Sequence, residues 1–146
     1  MYVLDTNVVS ELRRPRRSDP MVRSWVRRVP LPDLFTTSIN LMELRTRALR
    51  LIHRQDQRGR VIEDWIENHV VRAFKGRILA IDEAVGMRCA ELHVPISRPY
   101  RDSLIAAAAM VHRMTVVTRN LADFEPMGVA TLNPWEPQPA TGGPTR

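Results

Sequence analysis

Cysteine, lysine and long apolar runs are almost missing from this chain of 146 residues. The single cysteine, Cys89, excludes an internal disulfide and cannot form a thiolate metal site alone, so it is expected in the core. The longest unbroken apolar run, Leu104 to Val111, is too short to cross a bilayer, which excludes a helical membrane span. The chain opens on Met1-Tyr2-Val3-Leu4-Asp5, with no basic stretch leading into an apolar one, and a cytoplasmic protein is the expectation. A glycine-rich phosphate loop, a nucleophile elbow and a Cys/His catalytic pair are all lacking. His53, His69, His93 and His112 show no ligand spacing and read as packing or surface residues.

Lysine is replaced by arginine. Lys75 is the only lysine among 22 basic residues, and the formal net charge is +6. A basic excess favours a polyanionic partner, because arginines neutralise phosphates and release counterions. An arginine-rich coding bias explains the balance equally well. The runs Arg13 to Arg17 and Arg27-Arg28 also read as solvated helix ends.

A chain this long builds one domain around one core. The pattern predicts a strand over residues 2–5, a helix through Val8 to Leu12, and a second helix from Ser18-Asp19-Pro20 to about Val29. Met21, Val22, Trp25, Val26 and Val29 form the second helix's apolar set. Strand Leu34 to Ser38 is followed by a long helix with Leu41, Leu44, Ala48, Leu51 and Ile52 on one stripe. After a polar break near Gln55 to Gly59, another helix carries Val61, Ile62, Trp65, Ile66, His69 and Val70, making an αα-hairpin. Further expectations are strand Ile78 to Ile81, helix Glu83 to His93, helix Arg101 to Arg113, strand Thr115 to Thr118 and strand Val129 to Leu132. Strands alternating with helices imply an α/β fold, with a central parallel sheet flanked by helices in three layers. The domain is assigned to residues 1–136, and the Pro, Gly and Thr-rich residues 137–146 to a disordered tail.

Parallel sheets place their functional crevice beyond the carboxyl ends of the strands. Asp5 closes the first predicted strand, and Asp123 follows the strand at residues 115–118 by a short loop. Asp102 shares a helical stripe with Ile105, Ala106, Ala109 and Met110, which turns its carboxylate toward the core, where a charge needs a partner. Glu43 lies early in the helix after the second strand. Taken singly, these acids read as caps, helix starts or solvated residues. Converging at one sheet edge, they repel one another unless a cation intervenes, and hard oxygen ligands select Mg²⁺ or Mn²⁺. A phosphodiester substrate follows as an expectation, because such ions activate water and stabilise phosphoryl charge. Asp82-Glu83 also follows a strand but reads as a helix N-cap pair.

These segments resemble the PIN-domain ribonucleases, in particular toxins of the VapC and FitB type. MYVLDTNVVSEL at residues 1–12 is similar to the family's opening. Residues 38–44 resemble its glutamate segment, Asp102 to Ala107 its central aspartate motif, and Thr118 to Phe124 its closing T-x-N-x-x-D-F pattern. Leu132-Asn133-Pro134-Trp135 is similar to the FitB-like ending, so the resemblance spans about residues 1–136. Two positions depart from it. Thr46-Arg47-Ala48 stands where a glycine is common, and Arg98-Pro99-Tyr100-Arg101 where small or apolar residues are more usual. The resemblance implies the toxin of a type II toxin–antitoxin pair: a Mg²⁺-dependent endoribonuclease acting on RNA. It further implies a homodimer, silenced by an antitoxin with a DNA-binding domain. Asp5 and Asp102 would be the principal metal ligands, with Glu43 and Asp123 completing the site and Asn7 and Thr118 orienting ligands or water.

Two rivals carry different chemistry. A phosphatase with Asp5 as nucleophile requires a covalent aspartyl phosphate, but the third residue is Asn7 rather than a second acid, and only Lys75 is available as a supporting lysine. A non-catalytic, basic RNA-binding module with a structural cation is the other.

Overall fold

The computed structural model describes residues 1–139. Five short strands, β1 (Tyr2–Leu4), β2 (Leu34–Thr37), β3 (Ile78–Leu79), β4 (Thr115–Val117) and β5 (Thr131–Leu132), form one sheet in the order β3-β2-β1-β4-β5. Every pairing is parallel, with Val3 opposite Phe35 on one side and Val116 on the other. The order reverses at β1, where the chain builds outward first through β2 and β3 and then through β4 and β5. That reversal is the topological switch point of an open parallel sheet.

Side-chain alternation along these strands feeds two cores rather than the single one expected, because a sheet covered by helices buries both faces. Val3 and Val116 point into one, with Val85, Cys89, Ile105 and the alanines Ala106 to Ala109, contributed by α6 (Glu83–Leu92) and α7 (Tyr100–Val111). Leu4 and Val117 point into the other, with Val8, Val9, Val22, Trp25, Leu44 and Ala48. These come from α1 (Thr6–Glu11), α2 (Pro20–Arg28) and α3 (Ser38–His53). The result is the expected three-layer α/β fold, and Cys89 is buried.

Some boundaries differ from the sequence pattern for local reasons. β1, β2 and β4 each end a residue earlier than the pattern predicts: Asp5, just beyond β1, caps α1, and Thr37, the last residue of β2, caps α3. Met21 is 38% exposed at the start of α2, which buries Val22 and Trp25 instead. Asp82 caps α6 as expected, accepting from the Val85 amide. After the short loop that follows β4, Asp123 sits in the one-turn helix α8 (Leu121–Phe124), which the fully buried Phe124 pins to the core. Within the segment assigned to a tail, the Gln138 amide donates to the Asn133 and Glu136 carbonyls, and residues 140–146 lie outside the described residues.

The polar break ends sooner than its composition suggests. Helix α4 (Arg58–Trp65) already contains Gly59, and it continues through a π-helical turn (Ile66–Val70) into α5 (Val71–Ala73). Gly59 belongs inside the helix because α3 crosses directly over it. A β-carbon there would stand 2.6 Å from the Ala48 carbonyl oxygen and 2.7 Å from the Ile52 amide nitrogen. Both obstacles are backbone, so neither can rotate away. Gly59→Ala is therefore expected to destabilise the fold by about 1–3 kcal/mol despite the better helix propensity of alanine. Chemical denaturation should show this as a lowered midpoint, and an unchanged midpoint would mean the hairpin separates freely.

Candidate active site at the sheet switch point

The site begins with Asp5, the first residue beyond β1. Its amide donates to the Val117 carbonyl of β4 at 2.9 Å, which carries the pairing of β1 with β4 one residue past the strand. Its side chain is 1% exposed and held from three directions. Oδ1 accepts from the Thr6 amide at 2.8 Å and from Asn40 Nδ2 at 3.2 Å. Oδ2 accepts from Thr118 Oγ1, the first residue after β4, at 2.8 Å. Thr118 Oγ1 in turn accepts from the Asn120 amide at 3.0 Å and from Asn7 Nδ2 at 3.4 Å.

Asn40 links this carboxylate to the neighbouring strand. It is fully buried in the first turn of α3, where its Oδ1 accepts from Thr37 Oγ1 at 2.6 Å and from the Thr37 amide at 3.2 Å. Its Nδ2 also donates to Thr6 Oγ1 at 3.1 Å. Thr6 Oγ1 then donates to Glu43 Oε2 at 3.1 Å, one turn further along α3. Asn40, Thr6 and Thr37 were absent from the expected site. The spacing Thr37-x-x-Asn40 is a capping-box signal, but nothing in it says that the asparagine also reaches Asp5.

The remaining acids surround this hub. Asp102, in the first turn of α7, has a side chain 13% exposed. Burial raises its pKa above the ordinary aspartate value. The Arg101 charge opposes the rise, while the charges of Asp123, Asp5 and Glu43 add to it. All three other expected acids are thus near enough to act on Asp102. They are not gathered into a cage: among the described residues, no three Asp, Glu, His or Cys side chains are placed to enclose a metal ion as they stand.

Arg101 lies among these acids. Its Nη1 donates to Glu43 Oε2 at 2.6 Å, and its Nη2 lies 3.0 Å from Asp102 Oδ1. The second contact is close enough for charge pairing but is not aligned as a hydrogen bond, so the solvent-shielded Oδ1 has no donor. A buried carboxylate oxygen without a donor is unusual, since such groups are ordinarily satisfied. It matches what a hard cation takes as a ligand. The donor chemistry therefore fits a divalent ion, with Asp102 supplying an open lone pair and three further carboxylates within electrostatic range but not closed around it.

Two hollows flank the acids. On one side, Asp102 and Asp123 line a cleft of about 230 Å³ with Pro99 and Met127. On the other, a groove of about 900 Å³ runs along the α3–α4 hairpin. Glu43 and Arg101 line it together with Arg13, Arg14, Arg47, Arg50, Arg54 and Arg58. Burial, followed by the charges of Arg14 and Arg47, lowers the Arg13 guanidinium below its usual pKa, as crowded like charges do. Arg27 and Arg28 lie apart from this groove, in the last turn of α2, where they oppose the negative helix end.

The nucleophilic-aspartate chemistry does not fit this geometry. Lys75 lies in the turn entering β3, at the opposite end of the strands.

A three-layer parallel α/β protein with carboxylates at the switch point belongs to the class that assembles its chemistry beyond the strand ends. The chain belongs to the PIN domain family, whose model matches residues 2–126. It is 33% identical over 140 residues to Toxin FitB of Neisseria gonorrhoeae, covering 92% of this chain and 99% of that protein. It is 32% identical over 142 residues to VapC ribonuclease Y4jK of Sinorhizobium fredii, covering 94% and 99%. Among solved structures it resembles that of FitAB bound to a DNA fragment, with a TM-score of 0.83 and 32% identity over 94% of this chain and 98% of that one.

Two stability measurements follow from this geometry. Asn40→Ala removes a donor to Asp5 and leaves the Thr37 hydroxyl and amide without their acceptor, so a loss of about 1–3 kcal/mol is expected on denaturation. A change within error would show that water replaces the amide. Asp102→Asn should act in the opposite sense. Its folded pKa is raised, so the protonated form favours the fold, and that advantage is lost as pH rises through the folded pKa. In EDTA at neutral pH the variant should be at least as stable as wild type, and the difference should close as pH falls below the ordinary aspartate range. An ordinary helix-start aspartate predicts a loss of about 0.3–1 kcal/mol instead.

Proposed function

We propose that this protein is a divalent-metal-dependent endoribonuclease, the toxin of a type II toxin–antitoxin pair, acting on RNA in the cytoplasm. The observation that carries the reading is the undonated, shielded Oδ1 of Asp102, in electrostatic contact with Asp5, Glu43 and Asp123 at the sheet switch point. Asp102 and Asp5 would hold Mg²⁺, or Mn²⁺ in its place, with Glu43 and Asp123 completing the acidic set. When bound, the cation supplies Lewis acidity that activates a water and neutralises phosphoryl charge. The protein's own part is positional. Thr118, Asn40 and the Thr6 amide fix the Asp5 carboxylate, and Asn7 supports Thr118. Asp123, exposed on α8, faces the cleft that Asp102 lines and has water at hand for proton exchange.

The groove supports a polyanionic substrate. Arg50, on α3, and Arg54, just past its end, line the groove, and Arg13 and Arg14 close it from the α1–α2 connection, so phosphates entering along it would lead to Glu43 and the acids. Water attacking phosphorus, with the 3′-oxygen leaving, yields 5′-phosphate and 3′-hydroxyl ends. The antitoxin partner rests on similarity to Toxin FitB and to the FitAB complex, and the homodimer on the family resemblance.

The purified protein is expected to cut RNA with Mg²⁺ or Mn²⁺, to stop in EDTA and to lose at least about a hundredfold in rate on Asp102→Asn. End analysis should find 5′-phosphates. Undiminished cleavage in EDTA, or cyclic phosphate ends, would refute the metal-activated water. RNA binding that survives Asp5→Ala with no cleavage in either protein would instead favour the non-catalytic RNA-binding module.

A further inference from the structure

We propose that Arg101 is a built-in counter-ion of the acidic site, which a divalent cation must displace, so that this one side chain sets the protein's metal affinity. The proposal rests on the metal-site reading above and concerns a residue outside the ligand set.

The argument starts from charge. Asp102 is largely buried, the charges of Asp123, Asp5 and Glu43 bear on it, and that repulsion calls for a positive charge in the absence of metal. Arg101 provides it, with one guanidinium nitrogen 2.6 Å from Glu43 and another 3.0 Å from Asp102. Arg47 is the other cation on Glu43, but it stands off at 3.9 Å and is more exposed. Arg101 thus joins α3 to α7 across the acids that a metal would use.

The two halves of the bridge differ. The bond to Glu43 is short and directed, whereas the contact with Asp102 lacks hydrogen-bond alignment and leaves Oδ1 without a donor. A guanidinium in that position neutralises Asp102 without satisfying it. A divalent ion offers twice the charge and does both, so Asp102 is the place where exchange begins. Arg101 also has room to leave. Its side chain is 32% exposed, against 13% for Asp102, and it already lines the arginine groove beside Glu43. A displaced Arg101 would move away from the acids and toward the groove mouth, where an arriving phosphate would meet it.

A fixed brace between α3 and α7 would behave differently from a displaceable counter-ion. Removing a brace destabilises the fold without tightening metal binding. Removing a counter-ion destabilises the metal-free protein and tightens metal binding together, because the acids lose the charge that competed with the ion.

Isothermal titration of the whole protein with MnCl₂ separates these cases. Arg101→Met, which keeps an unbranched apolar stem without the guanidinium, and Arg101→Ala should each bind Mn²⁺ about tenfold more tightly than wild type, the effect of deleting a unit charge a few ångströms from the ion. Arg101→Lys should stay near wild type, because it keeps the competing charge. Arg50→Ala, which removes an equal charge from the groove without touching an acid, should shift affinity by less than about twofold in 0.15 M salt. In EDTA, the melting temperature of Arg101→Met should fall below wild type, and saturating Mn²⁺ should narrow or close that gap. Equal or weaker Mn²⁺ binding by Arg101→Met, with wild type binding normally, would overturn this proposal and leave the metal-site reading standing. Absence of Mn²⁺ binding in wild type and every variant would overturn both. If Arg101→Ala fails to fold, the Met and Lys variants decide.

Discussion

Burying one carboxylate at the point where the sheet reverses direction is the constraint on which the rest of this structure depends. Asp5 is shielded from solvent, and a buried charge persists only when its oxygens are satisfied. The donors come from three places that the chain must bring together: the first turn of α1, the first turn of α3 and the residue after β4. Each follows directly from a strand paired with β1, or from β1 itself. The register of β1 with β2 and β4 and the geometry around Asp5 are therefore one property. A slip in either pairing would strand the carboxylate without its donors.

Asp5 also acts as the N-cap of α1, so the same oxygen that accepts from Asn40 accepts from the Thr6 amide. Thr37 plays the matching part for α3, exchanging hydrogen bonds with Asn40. Helix capping and site construction thus share atoms. Helix starts are natural places for anionic groups, because unpaired amides and the helix dipole favour negative charge there. Asp102 and Asp123 also lie in first helical turns, which lessens the electrostatic burden of keeping several acids close.

Positive charge completes the arrangement. The groove along the α3–α4 hairpin gathers arginines from the connection after α1, from α3 and its C-terminal end, and from α4, and Arg101 carries the same charge into the acidic region. The close packing that forms the hairpin depends on Gly59, where α3 and α4 touch backbone to backbone. One wall of the substrate groove proposed above is consequently the same hairpin that needs this glycine. This separation of an acidic centre from a basic approach suits a phosphodiester chain, whose backbone needs cations along its length and whose reacting phosphate needs a metal at one point.

Much of this was legible from residue order. Alternating strand and helix patterns gave a parallel α/β sheet, and the stripe through Ile105, Ala106 and Ala109 turned Asp102 inward, as it is. Asp5 at the end of β1 and Thr118 at the end of β4 could be placed at one edge, since parallel strands carry their carboxyl ends together. Less legible was anything depending on which side chains meet across sequence. Asn40 looked like an ordinary helix residue, because its role requires α3 to pass over β1. The one-turn helix that carries Asp123 has no period to detect, and Gly59 sits at the edge of a polar stretch while its crossing partners, Ala48 and Ile52, are eleven and seven residues away. The four acids were expected to form a ready cluster, whereas Arg101 stands among them.

What the sequence by itself determined is the class of fold, the layer each segment faces and the edge of the sheet where acids accumulate. All of these follow from local periodicity and from the direction a parallel strand must run. What only the tertiary structure decided is how those acids are held and neutralised. The side-chain donors on Asp5 from Asn40 and Thr118 and the arginine bridging to Glu43 arise from contacts across 35 to 113 positions of separation. Electrostatics at short range depends on ångströms, and no pattern along the chain encodes those.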